Sequence, residues 1–334
     1  MSGPSRSAGA AVIAAVALAS AGCGADNAPK APAGVSQSAF ERQLADAQRV
    51  SPADFPATEG KTLRQLADMA KTGQQVGLAT SLFVPGDNRL AFGVIDAKNG
   101  FVYGKSAVYV GRAPNSKAQG PYPAPADALL TEGRYRSKQA ALEASPIASV
   151  YAAQVSFKRP GRYAVLVLTK NDRGLLGATA EVNVRRQTAV PSVGERPPAV
   201  TTDTIASAGS EEAVDTRVPP APELHKTNFK DVLGKQPVAL LFATPQLCQS
   251  RVCGPVVDIE LQMNAKYGDR MAFIHQEVYV DNQVDKGLRA PLKAFGLQTE
   301  PWLFTFDRSG RVAARLEGSF GTRAFEQAIT AALR

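Results

Sequence analysis

The spacing of apolar residues changes along the chain, and each change predicts a different kind of element. Within residues 37–75 the apolar side chains recur at helical intervals, most clearly in the stretch Thr62–Lys71. There Leu63, Leu66 and Ala70 lie at positions i, i+3 and i+7, on one face of a helix. We therefore predict a helical segment over residues 37–75.

Residues 76–185 follow a period of two, which is typical of β-strands. The runs RLAFGVID, VYAAQVSFK and GRYAVLVLT are separated by turn sequences such as PGDN, KRPG and NDRG. Several short strands with such turns predict an antiparallel β-sandwich. One longer insertion, residues 112–138, is expected to form an exposed loop.

A polar stretch separates this region from the last third of the chain. Residues 186–222 are dominated by Pro, Ser, Thr and Ala and contain no aromatic residue, which predicts a disordered linker. Over residues 223–334 strand and helix patterns alternate, starting with the continuous apolar run PVALLFAT. The alternation predicts an α/β layer fold, so we expect a multi-domain chain, all-β and then α/β.

Composition and charge narrow the classes of function. The chain has 334 residues, of which 44% are hydrophobic and 20% charged, a balance typical of a globular protein with room for two domains. Its net charge of +8 is spread without a basic block or interleaved aromatic residues. Nucleic-acid binding is therefore not expected.

The first residues are typical of an export signal. A run of small apolar residues follows Arg6 and ends in Ser-Ala-Gly-Cys, and it is too short for a membrane span. We predict a signal peptide over 1–22 and a tether over 23–36. The ending resembles the lipobox of bacterial lipoproteins, which implies lipidation of Cys23 and anchoring at the outer face of the bacterial cytoplasmic membrane. The alternative is an ordinary cleaved signal with an incidental cysteine.

Two further cysteines, Cys248 and Cys253, lie in the stretch FATPQLCQSRVCGPVVD. Four residues separate them, at the point where the apolar run gives way to a helical pattern. Outside the cytoplasm such a pair can persist as a disulfide. The residues alone leave three hypotheses open: a redox centre, a structural disulfide or a metal clip.

The segment FGLQTEPWLFTFDRSG is similar to the thioredoxin family's stretch before and through its fourth strand. Pro301 falls on the family's cis-proline, and PVALLFATPQLC resembles the strand that delivers the first redox cysteine to a helix. The resemblance covers roughly residues 223–334 and implies a thioredoxin-like fold. It also implies catalysis without a cofactor, in which Cys248 attacks exported client proteins and Cys253 resolves the mixed disulfide.

The chain departs from the family pattern around these cysteines. The spacing is C-x4-C rather than C-x-x-C, Leu247 replaces the usual Trp, and the family's buried Asp falls near Leu241. The residue before the cis-proline is Glu300, where the family has Ile or Thr. An acidic neighbour favours the protonated thiol and slows its attack, whereas a helix N-terminus close to Cys248 has the opposite effect.

Two other functions stay open for this part of the chain. A structural disulfide would leave a non-enzymatic binding module. Sco-type copper chaperones share the fold and bind copper through C-x3-C and a distant His, so Cys248, Cys253, His225 and His275 form a second, copper-binding hypothesis.

The sandwich carries its own resemblance. The stretch SFKRPGRYAVLVLTK resembles an edge of immunoglobulin-like domains, which implies that Tyr163 bonds its hydroxyl back to the backbone. The fold says little about function. We expect the sandwich to bind a partner whose identity is unknown.

Overall fold

The computed structural model describes residues 31, 36–139, 147–248 and 252–334. The predicted signal peptide and Cys23 lie outside the described residues, as does the tether apart from Ala31 and Ser36. Within the described ranges, no helix is long and apolar enough to cross a membrane.

The first half of the chain forms two four-stranded antiparallel sheets around one core. One sheet has the order β1-β2-β6-β5 and the other β4-β3-β7-β8. Phe92 and Val155 of the first sheet share a hydrophobic core with Val108 and Val165 of the second, so the two sheets make a sandwich. The strands are β1 Gln75–Leu78, β2 Gly86–Ile95, β3 Lys105–Gly111, β4 Gln119–Pro123, β5 Ala126–Ala128, β6 Ser149–Phe157, β7 Gly161–Asn171 and β8 Gly174–Val184.

Tyr163 makes the expected bond to the backbone. Its hydroxyl donates to the carbonyl oxygen of Arg159 at 3.1 Å and accepts from the Arg159 N–H at 3.3 Å. Its ring packs against Phe157. This local prediction is confirmed, while the immunoglobulin-like assignment stays a prediction.

Helices precede the sandwich, as the apolar spacing predicts. They are α1 Gln37–Gln48 and α2 Leu63–Ala67, and α2 begins with a reciprocal cap in which Thr62 and Gln65 satisfy each other's backbone N–H.

The prediction of an exposed loop over 112–138 is wrong. This stretch contains β4, β5 and a short 3₁₀ turn, Gly133–Tyr135. Both strands lie at sheet edges, where proline is tolerated because its missing N–H is not needed for pairing. The prolines that argued for a loop therefore mark edge strands.

The last part of the chain is a four-stranded sheet with the order β10-β9-β11-β12. Strands β9 Val238–Phe242 and β10 Ala272–Gln276 are parallel, whereas β11 Trp302–Phe306 is antiparallel to β9 and to β12 Val312–Glu317. The helices are α4 Phe229–Val232, α5 Cys253–Tyr267, α6 Ala290–Ala294 and α7 Thr322–Ala332. With α5 connecting β9 to β10, this order and connectivity are those of the thioredoxin-like fold.

The prediction that residues 186–222 form a disordered linker is also wrong. The segment has little regular structure apart from α3, Ile205–Ala208, yet it packs closely against the last sheet. Val190 joins the core beside β9 and β11, and Asp215 and Arg217 are buried. These two buried side chains form hydrogen bonds within the protein. Composition alone does not reveal such bonds.

Two carboxylates join the sandwich to the thioredoxin-like part. Glu317 of β12 accepts hydrogen bonds from the N–H and hydroxyl of Ser81 and from the N–H of Leu82. Asp127 of β5 accepts bonds from backbone N–H groups at the start of α7. The approach is close: at Gly318, where φ is +69°, an added Cβ would collide with the carbonyl of Ala79.

Candidate functional site

The cysteine pair lies where β9 leads into α5. Cys253 is the first residue of α5 and is buried, whereas Cys248 is partly exposed. Their side chains are hydrogen-bonded to each other. The fold therefore places a partly exposed cysteine and a buried cysteine side by side.

The surroundings of Cys253 favour its thiol form. Burial raises its pKa well above the ordinary value, and the hydrogen bond and charge of Cys248 act in the same direction. A backbone hydrogen bond from Thr244 opposes them. Cys253 is therefore expected to be a protonated thiol, hydrogen-bonded to Cys248.

The peptide bond between Glu300 and Pro301 is cis, as the resemblance implies. Burial raises the pKa of Glu300, and the charge of Cys248 raises it further. The pKa of the Tyr279 phenol is also raised, first by burial and then by the charges of Glu300 and both cysteines. The structure therefore brings Cys248, Cys253 and the Glu300–Pro301 peptide to one place.

A cavity of about 600 Å³ opens beside this place, between the sandwich and the thioredoxin-like part. Val252 and Glu300 line it on the side of the cysteines, and Leu78, Phe101 and Ile147 line it on the side of the sandwich. Val252, which precedes Cys253, and Glu300 therefore link the cysteine site to a largely apolar cavity to which both halves of the chain contribute.

The loop that carries Cys248 is held by residues that sequence reasoning missed. The N–H of Gln246 donates to the Thr216 hydroxyl at 3.1 Å, and that hydroxyl donates to Glu277 at 2.6 Å. Thr216 belongs to the segment taken for a linker. No local motif marks it, because its partners are distant in the sequence.

The histidines do not join the cysteines. His225 and His275 meet each other and Asp215, and within the described part of the chain no cysteine belongs to that group. The four residues of the copper hypothesis are therefore not brought together as one set of ligands. Asp215 was not singled out from the sequence, because it lies in the supposed linker.

Electrostatics distinguish the members of this second cluster. Burial would raise the pKa of Asp215, but its hydrogen bond with His225 and the neighbouring imidazoles lower it below the ordinary value. Burial lowers the pKa of His225. Nearby, burial and the charge of Asp215 raise the pKa of Glu260 well above its usual range.

Comparisons with known proteins give a partial likeness. No family model matches the chain, and no curated protein matches it. A structure from Chlorobium tepidum, described as a candidate thiol:disulfide interchange protein DsbE, is 18% identical with a TM-score of 0.32, over 43% of this chain and 99% of that one. Another, a thiol:disulfide interchange protein of the thioredoxin family from Chlorobium tepidum TLS, is 16% identical with a TM-score of 0.27, over 45% and 99%. The fold assignment rests on sheet order and connectivity rather than on these scores.

Proposed function

We propose that this protein is a thiol–disulfide oxidoreductase acting on exported proteins. The observation that carries the proposal is the arrangement of the two sulfurs. Cys248 is accessible at the end of the β9 loop, and Cys253 is buried at the start of α5 next to it. An attacking sulfur needs access to a client, whereas a resolving sulfur needs only access to the first.

The exchange reaction follows from this arrangement. The Cys248 thiolate attacks one sulfur of a client disulfide, so that a mixed disulfide forms and the second client sulfur leaves and takes up a proton. Cys253 then loses its proton and attacks the Cys248 sulfur, which closes the Cys248–Cys253 bond and releases the client dithiol. Two electrons pass from the pair to the client, and the reverse sequence oxidises a client.

The proposal extends to where clients bind and where the protein resides. The cavity beside Glu300 would hold an extended apolar segment of a client, because its lining is largely apolar. The Cys23 sequence supports a lipid anchor on the outer face of the bacterial cytoplasmic membrane. Cys23→Ser should release the protein from the membrane fraction, and a variant that stays bound with a normally trimmed N-terminus would count against lipidation.

Trapping tests the exchange itself. Cys253→Ala should accumulate mixed disulfides between Cys248 and clients, because the resolving sulfur is gone. Cys248→Ala is the matched control and should accumulate none. We also expect the reduction potential of the wild-type pair to lie above about −300 mV, the range of structural disulfides being lower. Absence of adducts together with a lower potential would make the pair a structural disulfide in a binding module.

A further inference from the structure

Asp215, His225 and His275 come from separate parts of the chain and converge in the interior. Asp215 lies in the segment 186–222, His225 ends a 3₁₀ turn, Pro222–His225, and His275 lies in β10. All three are at most 2% exposed. Because water does not reach these side chains, their polar atoms need hydrogen-bond partners or a bound ion inside the protein.

The distances within the cluster have the dimensions of a metal site. Nε2 of His225 lies 3.2 Å from Nδ1 of His275 and 3.4 Å from Oδ2 of Asp215. Nδ1 of His275 lies 3.7 Å from Oδ1 of Asp215. Tetrahedral ligands bound to Zn²⁺ at 2.0–2.2 Å are about 3.3–3.6 Å apart. The nitrogen–nitrogen distance and the two nitrogen–oxygen distances, which reach different oxygens of the Asp215 carboxylate, are close to these separations.

Hydrogen bonds orient His275 and Asp215 as metal ligands, whereas Nδ1 of His225 has no hydrogen-bond partner in the described part of the chain. Nε2 of His275 lies 3.0 Å from the carbonyl oxygen of Ala243, and an N–H there leaves the Nδ1 lone pair facing Asp215 and His225. Histidines that bind metals commonly donate their other N–H to a carbonyl. The Asp215 carboxylate accepts from the N–H groups of Arg217 and Ala221 at 2.9 and 2.8 Å, which holds it in place.

The charges around the cluster lack a cation. Among the described residues, Asp215 contacts only the two imidazoles as possible cations, and the nearby Arg217 guanidinium pairs with Asp258 at 2.8 Å. Glu260 is fully buried, and neither of its carboxyl oxygens has a hydrogen-bond partner in the described part of the chain. Its helix α5 packs against both β10 and the Pro222–His225 turn. A divalent ion would supply the positive charge that this buried region lacks.

We infer that Asp215, His225 and His275 bind one divalent transition-metal ion of the Zn²⁺ class, with Glu260 as a charge-balancing carboxylate beside it. Imidazole and carboxylate ligands suit Zn²⁺, whereas soft thiolates select Cu(I). The site is separate from the cysteine pair. A bound ion would also stabilise the loop that carries Cys248. Thr216 is next to Asp215, and its hydroxyl accepts a hydrogen bond from the backbone N–H of Gln246 in that loop.

Metal analysis of the full chain tests the inference. Purified protein is stripped with a chelator and titrated with Zn²⁺, and bound metal is counted by mass spectrometry after dialysis. We expect about one ion per chain in the wild type and in the Cys248→Ala/Cys253→Ala double variant. Asp215→Asn and His225→Gln should bind at least about tenfold more weakly. Asp127→Asn, which removes a distant buried carboxylate, is the matched control and should bind normally.

Three outcomes would overturn the inference. They are a wild type that binds no Zn²⁺, unchanged binding in both ligand variants, and loss of binding in the cysteine double variant. If the ligand variants fail to fold, Co²⁺ loaded into the wild type still decides the question. Ligand-field bands without sulfur-to-cobalt charge transfer would support nitrogen and oxygen ligands. Sulfur charge transfer would place the ion at the cysteines, and an absence of Co²⁺ bands would leave a purely hydrogen-bonded triad.

Discussion

Glu300 places a carboxyl group beside the cysteine pair. It precedes the cis-proline, and its carboxyl group interacts with Cys248 closely enough that its own pKa is raised by burial and then by that sulfur. Charge interactions are mutual, so the Glu300 carboxylate disfavours the Cys248 thiolate. The Glu300 side chain is therefore expected to lower the reactivity of Cys248, the proposed nucleophile.

Glu300→Gln should speed the alkylation of Cys248 by iodoacetamide at neutral pH. The reason is that the variant removes a negative charge that opposes ionisation of the thiol. The measurement uses the Cys253→Ala background, so that Cys248 reports alone within the thioredoxin-like part. Glu300→Asp keeps the charge and should stay near the parent rate.

The effect of Glu300→Gln on the alkylation rate should depend on pH. Because the pKa of Glu300 is raised, its charge is lost at a higher pH than for an ordinary glutamate. The difference between the Gln variant and the parent should therefore shrink as the pH falls through that raised pKa. Equal rates at every pH would show that Glu300 does not restrain Cys248.

Which residues could be predicted depends on how local their signal is. Pro301 and Tyr163 are read from short motifs, and the structure confirms the cis bond and the backbone hydrogen bond. The meeting of His225 with His275 has no such signal, because it depends on how β10 packs against a distant turn. Glu260 gave none either, since a single acidic residue in a helix pattern is expected to face solvent.

Among the elements, helix α7 depends on a cap from another part of the chain. Its N-cap residue is Gly321, which has no side chain to accept a hydrogen bond. Asp127 of β5 supplies the acceptor instead, with bonds of 3.0–3.1 Å from the N–H groups of Gly321, Arg323 and Ala324. A carboxylate at a helix N-terminus also interacts favourably with the helix dipole.

Asp127→Ala should lower the free energy of unfolding by about 1–3 kcal/mol, because one buried and two part-buried N–H groups lose their acceptor. Denaturant unfolding followed by circular dichroism measures the change. Asp87→Ala removes an exposed aspartate of β2 and should change stability by less than about 0.5 kcal/mol. Equal stabilities of the two variants would mean that the cap contributes nothing.

Element prediction succeeded where burial follows a simple period. The strands of the sandwich and the alternation of the last third are read from apolar spacing, while the thioredoxin-like order is implied by the resemblance of residues 295–310 to that family. The predictions for residues 112–138 and 186–222 are wrong because proline and polar residues occur in edge strands and in buried irregular segments as well as in exposed loops. In the fold the prolines of β4 lie on an edge strand, and Arg217 pairs with Asp258 in the interior.

At the scale of the whole molecule, the packing of the two halves shapes the cavity beside the cysteines. Leu78 of β1 lies on its sandwich side and is 37% exposed, an uncommon exposure for a large apolar residue on a strand. Strand β1 is also an edge of its sheet. A client segment crossing the cavity would therefore meet apolar surface on its way to Cys248.

Leu78→Asp should reduce client adducts several-fold in the Cys253→Ala trapping background, because it places a charge in the proposed client path. The rate at which iodoacetamide alkylates Cys248 should not change, since the small reagent does not need the cavity. Val193→Asp is the matched control: Val193 is 63% exposed and lies outside the cavity lining. Adduct yields are compared by mass spectrometry at equal protein levels. If both variants trap clients as well as the parent does, clients reach Cys248 by another route and the sandwich has no part in their selection.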